Sequence, residues 1–113
     1  MDERLPAHLE TAAILRRAEA DGGFGMVLRK GDPDRGSLVL LIYARGQFHG
    51  TLERALGPDF TYRWAHKPPP DDGGSLRIDQ IVASRAQLDP DLWLIELDIA
   101  EPERFIAETT SLG

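Results

Sequence analysis

The sequence places four carboxylates, Asp89, Asp91, Glu96 and Asp98, around one predicted strand, and concentrates its basic side chains at Arg16, Arg17, Arg29, Lys30 and Arg35. Carboxylates gathered near a strand end can hold magnesium, so the acidic group defines one alternative, a small metal-dependent hydrolase or nuclease. Such short spacings carry little specificity. The favoured reading is structural: Asp89 and Asp91 flank Pro90 as turn residues, while Glu96 and Asp98 solvate an outward strand face or pair with arginine. The arginines define a second alternative, an anion-binding module. Arg16 falls within an apolar stripe of its helix, which predicts an internal or intersubunit ion pair with Glu96 or Asp98 as candidate partners. Trp64 and Trp93 alternate with their neighbours as core residues of strands do, although a tryptophan beside charges can also anchor a ligand.

Other chemistry is excluded more firmly. The 113 residues contain no cysteine, which removes disulfides, thiolate metal sites and cysteine nucleophiles. His8, His49 and His66 are widely spaced and give no metal-binding helix pattern, so neither a metal nor any other cofactor is expected. Gly22-Gly23-Phe24-Gly25 follows a helix and enters a strand, the reverse of a phosphate-binding loop. With 13 Lys plus Arg against 19 Asp plus Glu, the charge of −6 argues against a generic nucleic-acid binder. The acidic N-terminus and short apolar runs predict no membrane span and a cytoplasmic location.

These side chains need a scaffold, and the length suits a single domain. Pro6 to about Asp21 reads as a helix stopped by Gly22-Gly23. It has two apolar faces: Leu5, Leu9, Ala12, Ala13 and Ala20 on one side, and Ile14, Leu15 and Ala18 on the other. Two apolar faces need two partners, and a second copy of the chain is one candidate. Phe24 to Lys30 reads as a strand with Phe24, Met26 and Leu28 on its core face. Ser37 to Arg45 is apolar at nearly every position and is expected at the sheet centre, covered on both faces. Gln47 to Leu56 forms a third strand, and Phe60, Tyr62 and Trp64 form a ladder on a fourth. An exposed Pro/Gly loop is expected over 67–74, then a helix from Ser75 to about Leu88. A strand from Leu92 to Ile99 follows, with Trp93, Ile95, Leu97 and Ile99 facing the core, and then a helical turn near Pro102 to Glu108. The expected class is α+β: a mainly antiparallel sheet of about five strands, in the order helix, four strands, helix, strand, with two helices on one face.

Leu15-Arg16-Arg17, Gly22-Gly23-Phe24, Arg29-Lys30-Gly31-Asp32 and Leu88-Asp89-Pro90-Asp91-Leu92-Trp93-Leu94-Ile95-Glu96 together make the chain resemble an uncharacterised alphaproteobacterial family, domain of unknown function 1491. The segment around Lys67 to Gly74 and the tail beyond Asp98 differ from the family pattern. The resemblance implies a small bacterial protein and transfers no activity or cofactor to any residue. The functional expectation is a non-enzymatic interaction or accessory module, homodimeric through its surplus apolar face, with a protein or small-molecule partner of unspecified kind.

Overall fold

A strand with apolar side chains on both faces must be covered on both, and Leu38–Ala44 sits in the middle of the sheet. The computed structural model describes residues 5–69 and 75–111. Their elements are α1 (Ala7–Ala20), β1 (Phe24–Arg29), β2 (Leu38–Ala44), β3 (Gln47–Leu56), β4 (Tyr62–Lys67), α2 (Ser75–Leu88), β5 (Trp93–Asp98) and α3 (Pro102–Ser111). The class is α+β, as expected. Most of the anticipated 67–74 loop lies outside the described residues, although Lys67 itself completes β4.

The strand order is β1-β5-β2-β3-β4. β5 pairs parallel with β2 and antiparallel with β1, so the sheet is mixed. Its side chains explain the inner position. Ile95 and Leu97 face one side and Leu92 and Leu94 the other, all buried, and only an interior strand covers both sets.

The helices divide between the faces. Ala7 and Ala18 of α1 and Phe105 of α3 join Leu40, Ile42, Leu52, Trp64, Ile95 and Leu97 in the larger core. Val82 of α2 packs instead on Val39, Leu41, Leu92 and Leu94, on the opposite face. The two helices expected on one face, α1 and α2, therefore lie on opposite faces: α2 covers the back, and the helix that joins α1 is α3. The turn expected near Pro102 is a ten-residue helix. Burying a large side chain such as Phe105 contributes roughly 1.5–3 kcal/mol, which fastens α3 to the sheet.

The expected core face of β1 is reversed. Phe24, Met26 and Leu28 are exposed, because Gly25 takes the position beneath α1. A Cβ on Gly25 would stand 2.5 Å from Leu15 Cδ2 and 2.6 Å from Leu97 Cδ2, so any larger residue would have to push both leucine side chains aside to keep this close approach of helix and strand. On α1, the sheet takes Ile14, Leu15 and Ala18, leaving Leu5 and Leu9 about half exposed. In the aromatic ladder only Trp64 is buried. Phe60 stands in the turn before β4 with φ 63°, and Tyr62 begins an edge strand.

α2 is fastened through charge as well as through Val82. Arg85 donates from Nη2 and Nη1 to the two carboxylate oxygens of Glu53 on β3, at 2.6 and 3.1 Å, and Lys67 Nζ stands 3.4 Å away. Burial pushes the Glu53 carboxyl up, but the Arg85 hydrogen bonds and the charges of Arg85 and Lys67 outweigh it and hold the group below its ordinary value of 4.5. A carboxylate with a depressed pKa contributes stability above its unfolded value, and that contribution is lost as pH falls through the lower folded value. Glu53→Gln is accordingly expected to melt below the native protein at neutral pH, with the gap closing in acid below about 4.5. Thermal melts by circular dichroism across that range check it, and a gap unchanged in acid would refute the assignment.

Candidate functional site

The acidic group is not gathered into one site. Asp89 Oδ1 accepts the Asp91 backbone N–H at 3.1 Å, and the Asp91 carbonyl accepts the Asp32 N–H at 3.0 Å, so both aspartates shape the turn before β5. Glu96 and Asp98 lie further along β5, half-buried beside Met26 and Phe24. A strand rises about 3.3 Å per residue, which separates Asp98 from the turn by most of the strand's length. Among the described residues, no three histidine, aspartate or glutamate side chains come close enough to share a metal ion. Two histidines serve the backbone: the Nδ1–H of His8 donates to the Pro33 carbonyl at 2.9 Å, and the Nε2–H of His66 to that of His49 at 2.8 Å.

The arginines have separate tasks. Arg29 Nη1 donates to the carbonyls of Pro90 and Leu92 at 3.0 and 2.7 Å, tying the end of β1 to the turn before β5. Arg17 lies over the Phe105 ring, 3.9 Å from its centroid, and donates to Thr109 Oγ1 at 2.8 Å and the Phe105 carbonyl at 3.1 Å. It links α1 to α3. Arg16 does not make the expected internal pair: it is exposed, and no described carboxylate pairs with it. Its stripe is the outer one, so within the single chain its charge is hydrated at the surface.

The internal pair belongs to residues that sequence reasoning missed. Arg54 of β3 donates to both carboxylate oxygens of Glu10 on α1, at 2.8 and 2.5 Å, with its guanidinium 4.5 Å from the centre of the Trp64 ring. No local spacing signals a pair separated by so much chain. Trp93 is buried, and its indole N–H donates to the Asp32 carbonyl at 2.7 Å, which makes it a core anchor.

The most unusual surface is β1. It is a terminal strand whose outer edge joins no described strand, and its side chains are those of a core. Phe24 is 60% exposed, Met26 52%, Leu28 43% and Val27 37%. Phe24 and Met26 face the same side as Asp98 and Glu96, their register partners on β5. The bulge between Val27 and Arg29 turns Leu28 out of the pairing and leaves Phe24–Val27 as the regular part of the edge. Exposed backbone donors and acceptors next to large apolar side chains are what an added strand requires.

The same architecture is found in solved structures. The model of the family described as "Protein of unknown function (DUF1491)" matches residues 5–107. The chain belongs to the DUF1491 family. The match runs through the 67–74 segment and most of the tail, the two regions in which the sequence differed from the family pattern. A crystal structure of a DUF1491 protein from Caulobacter crescentus superposes with a TM-score of 0.74 at 27% identity, covering 88% of this chain and 92% of that one. An NMR structure of a DUF1491 protein from the same species gives 0.72 at 28% identity, covering 87% and 88%. A solution structure from A. tumefaciens shares the fold at 0.66 and 22% identity, covering 87% and 88%. No curated protein matches the sequence. Among the described residues of this DUF1491 protein, no helix is long and apolar enough to cross a membrane.

Proposed function

We propose that this DUF1491 protein is a non-enzymatic interaction module that self-associates through β1, two copies adding their edge strands to each other across a two-fold axis. The observation that carries the reading is the exposure of Phe24, Met26, Val27 and Leu28 together on a terminal strand. A second copy suits this edge for a reason of charge. The strand begins beside Asp21 and Asp98 and ends at Arg29-Lys30, so antiparallel pairing of two identical strands lays the basic end of each against the acidic end of the other. The surplus apolar surface that favours a dimer thus lies on β1 more than on α1, where Leu9 stands exposed near the charged Arg16.

The test is the oligomeric state. Light scattering after size exclusion is expected to give twice the 12.5 kDa chain mass. Replacing both Phe24 and Met26 by Lys, which would face Asp98 and Glu96 within the chain, should return the single-chain mass, weakening association by about a hundredfold or more, because each copy would then bring like charges into an apolar contact. Both residues are outside the cores, so the melting temperature of the separated chain should change little. A native protein that stays monomeric at high concentration, or a double variant that still dimerises, would refute the reading.

A further inference from the structure

A cavity of about 330 Å³ opens between α1 and α3 on the larger-core face of the sheet. Ile14, Leu40, Trp64 and Phe105 give it an apolar and aromatic lining, and Arg17 and Arg54 bring guanidinium groups to its wall. The volume is at the lower end of those that enclose small ligands, enough for a body the size of two fused rings.

The two arginines differ in how far they are neutralised. Arg54 is matched by Glu10 through two short hydrogen bonds and covers Trp64. Arg17 is held as firmly in place, but by neutral acceptors, the Thr109 hydroxyl and the Phe105 carbonyl. Its nearest carboxylate, Glu108, is 3.6 Å away and 55% exposed, and stands 4.0 Å from Arg104 as well. A guanidinium carries five N–H donors, so Arg17 retains donors and most of its charge after these contacts. The cavity therefore combines an apolar interior with a fixed positive charge whose own counterion is solvent-exposed and shared with Arg104.

We infer that this cavity is a binding site for a small amphipathic anion, a compound with one carboxylate-like head and a flat apolar body. The head lies against the Arg17 donors and the body against Trp64 and Leu40. Ion pairing with a positioned arginine in a partly dry site fixes orientation, and burial of the rings supplies most of the affinity. The inference is independent of self-association through β1, which leaves this face of the sheet untouched.

Naphthoate is a suitable probe and naphthalenemethanol its neutral counterpart, with binding read from the N–H resonances of the isotope-labelled protein. The two tryptophans make the readout specific, since the Trp64 indole lines the cavity while the Trp93 indole is bonded to the Asp32 carbonyl. Naphthoate is expected to move the Trp64 indole resonance and the amides of 105–109 and to leave the Trp93 indole in place. The alcohol, and naphthoate with Arg17→Gln, should each bind at least about tenfold more weakly, the value of one charge-assisted hydrogen bond. Ala13→Leu fills the cavity while retaining Arg17, and should abolish the response even if Arg17→Gln loosens α3. Equal binding of acid and alcohol, shifts confined to 24–28, or no movement of the Trp64 indole at millimolar naphthoate would each overturn the proposal.

Discussion

Trp93→Ala is expected to cost about 4 kcal/mol of folding stability, a large share of the roughly 5–15 kcal/mol available to a domain. The indole is 4% exposed in the larger core, and its N–H donates to the Asp32 carbonyl at 2.7 Å. It also organises the loop before β2. Asp32 Oδ1 accepts the backbone N–H groups of Arg35 and Asp34 at 2.7 and 2.9 Å, and these bonds hold its carboxyl below the ordinary range. The chain then passes over the indole at Gly36, where an added Cβ would come within 2.6 Å of Trp93 Cδ1. Trp93→Phe keeps most of the volume and loses the hydrogen bond, so about 1–1.5 kcal/mol is expected there. Urea unfolding followed by circular dichroism measures both. A loss under about 1 kcal/mol for the alanine variant would mean that the loop repacks into the space, against the cavity cost expected of a buried indole.

The second large effect is expected at the Arg54–Glu10 pair. Both side chains are 15% exposed, so removing one partner leaves a poorly hydrated charge on the other. Arg54→Met should cost about 2–3 kcal/mol, less than a wholly buried pair would because some solvent still reaches it. Glu10→Ala should cost a similar amount. Because the two act as a unit, the double variant should lose less than the sum of the single losses, with a coupling of about 2 kcal/mol. Additive losses in the same urea titration would show that Arg54 acts through its contact with Trp64 and not through Glu10. The comparison matters for the cavity between α1 and α3, since Glu10 is what neutralises one of its two arginines.

The elements themselves were legible because each is written in local chemistry. Gly22-Gly23 ends α1 with Gly22 at φ 86°, Asp89-Pro90-Asp91 separates α2 from β5, and the unbroken apolar run of β2 requires cover on both sides. The four-carboxylate alternative could not be decided the same way. The residues from Asp89 to Asp98 are close in sequence, but an extended strand carries the last of them away from the first, and the turn uses Asp89 for its own backbone. Arg16 shows the opposite difficulty. Helical spacing identifies two apolar stripes but not which one meets the sheet, and Gly25 brings β1 against Leu15, which selects the other stripe.

By itself, the sequence determined the α+β class, the order of the elements, the doubly covered central strand and the burial of both tryptophans, because these follow from period, turn residues and local apolar pattern. Only the tertiary structure decided that β5 enters the sheet between β1 and β2, that α2 crosses to the back, and that β1 becomes an edge with Phe24 and Met26 outward. It also decided the charge pairs, Arg54 with Glu10 and Arg85 with Glu53, and the meeting of Arg17 with α3. The physical reason is range. Backbone propensity and side-chain alternation act within a few residues, whereas a strand's neighbour, a helix's inward face and an ion pair's partner are chosen by packing the whole chain at once.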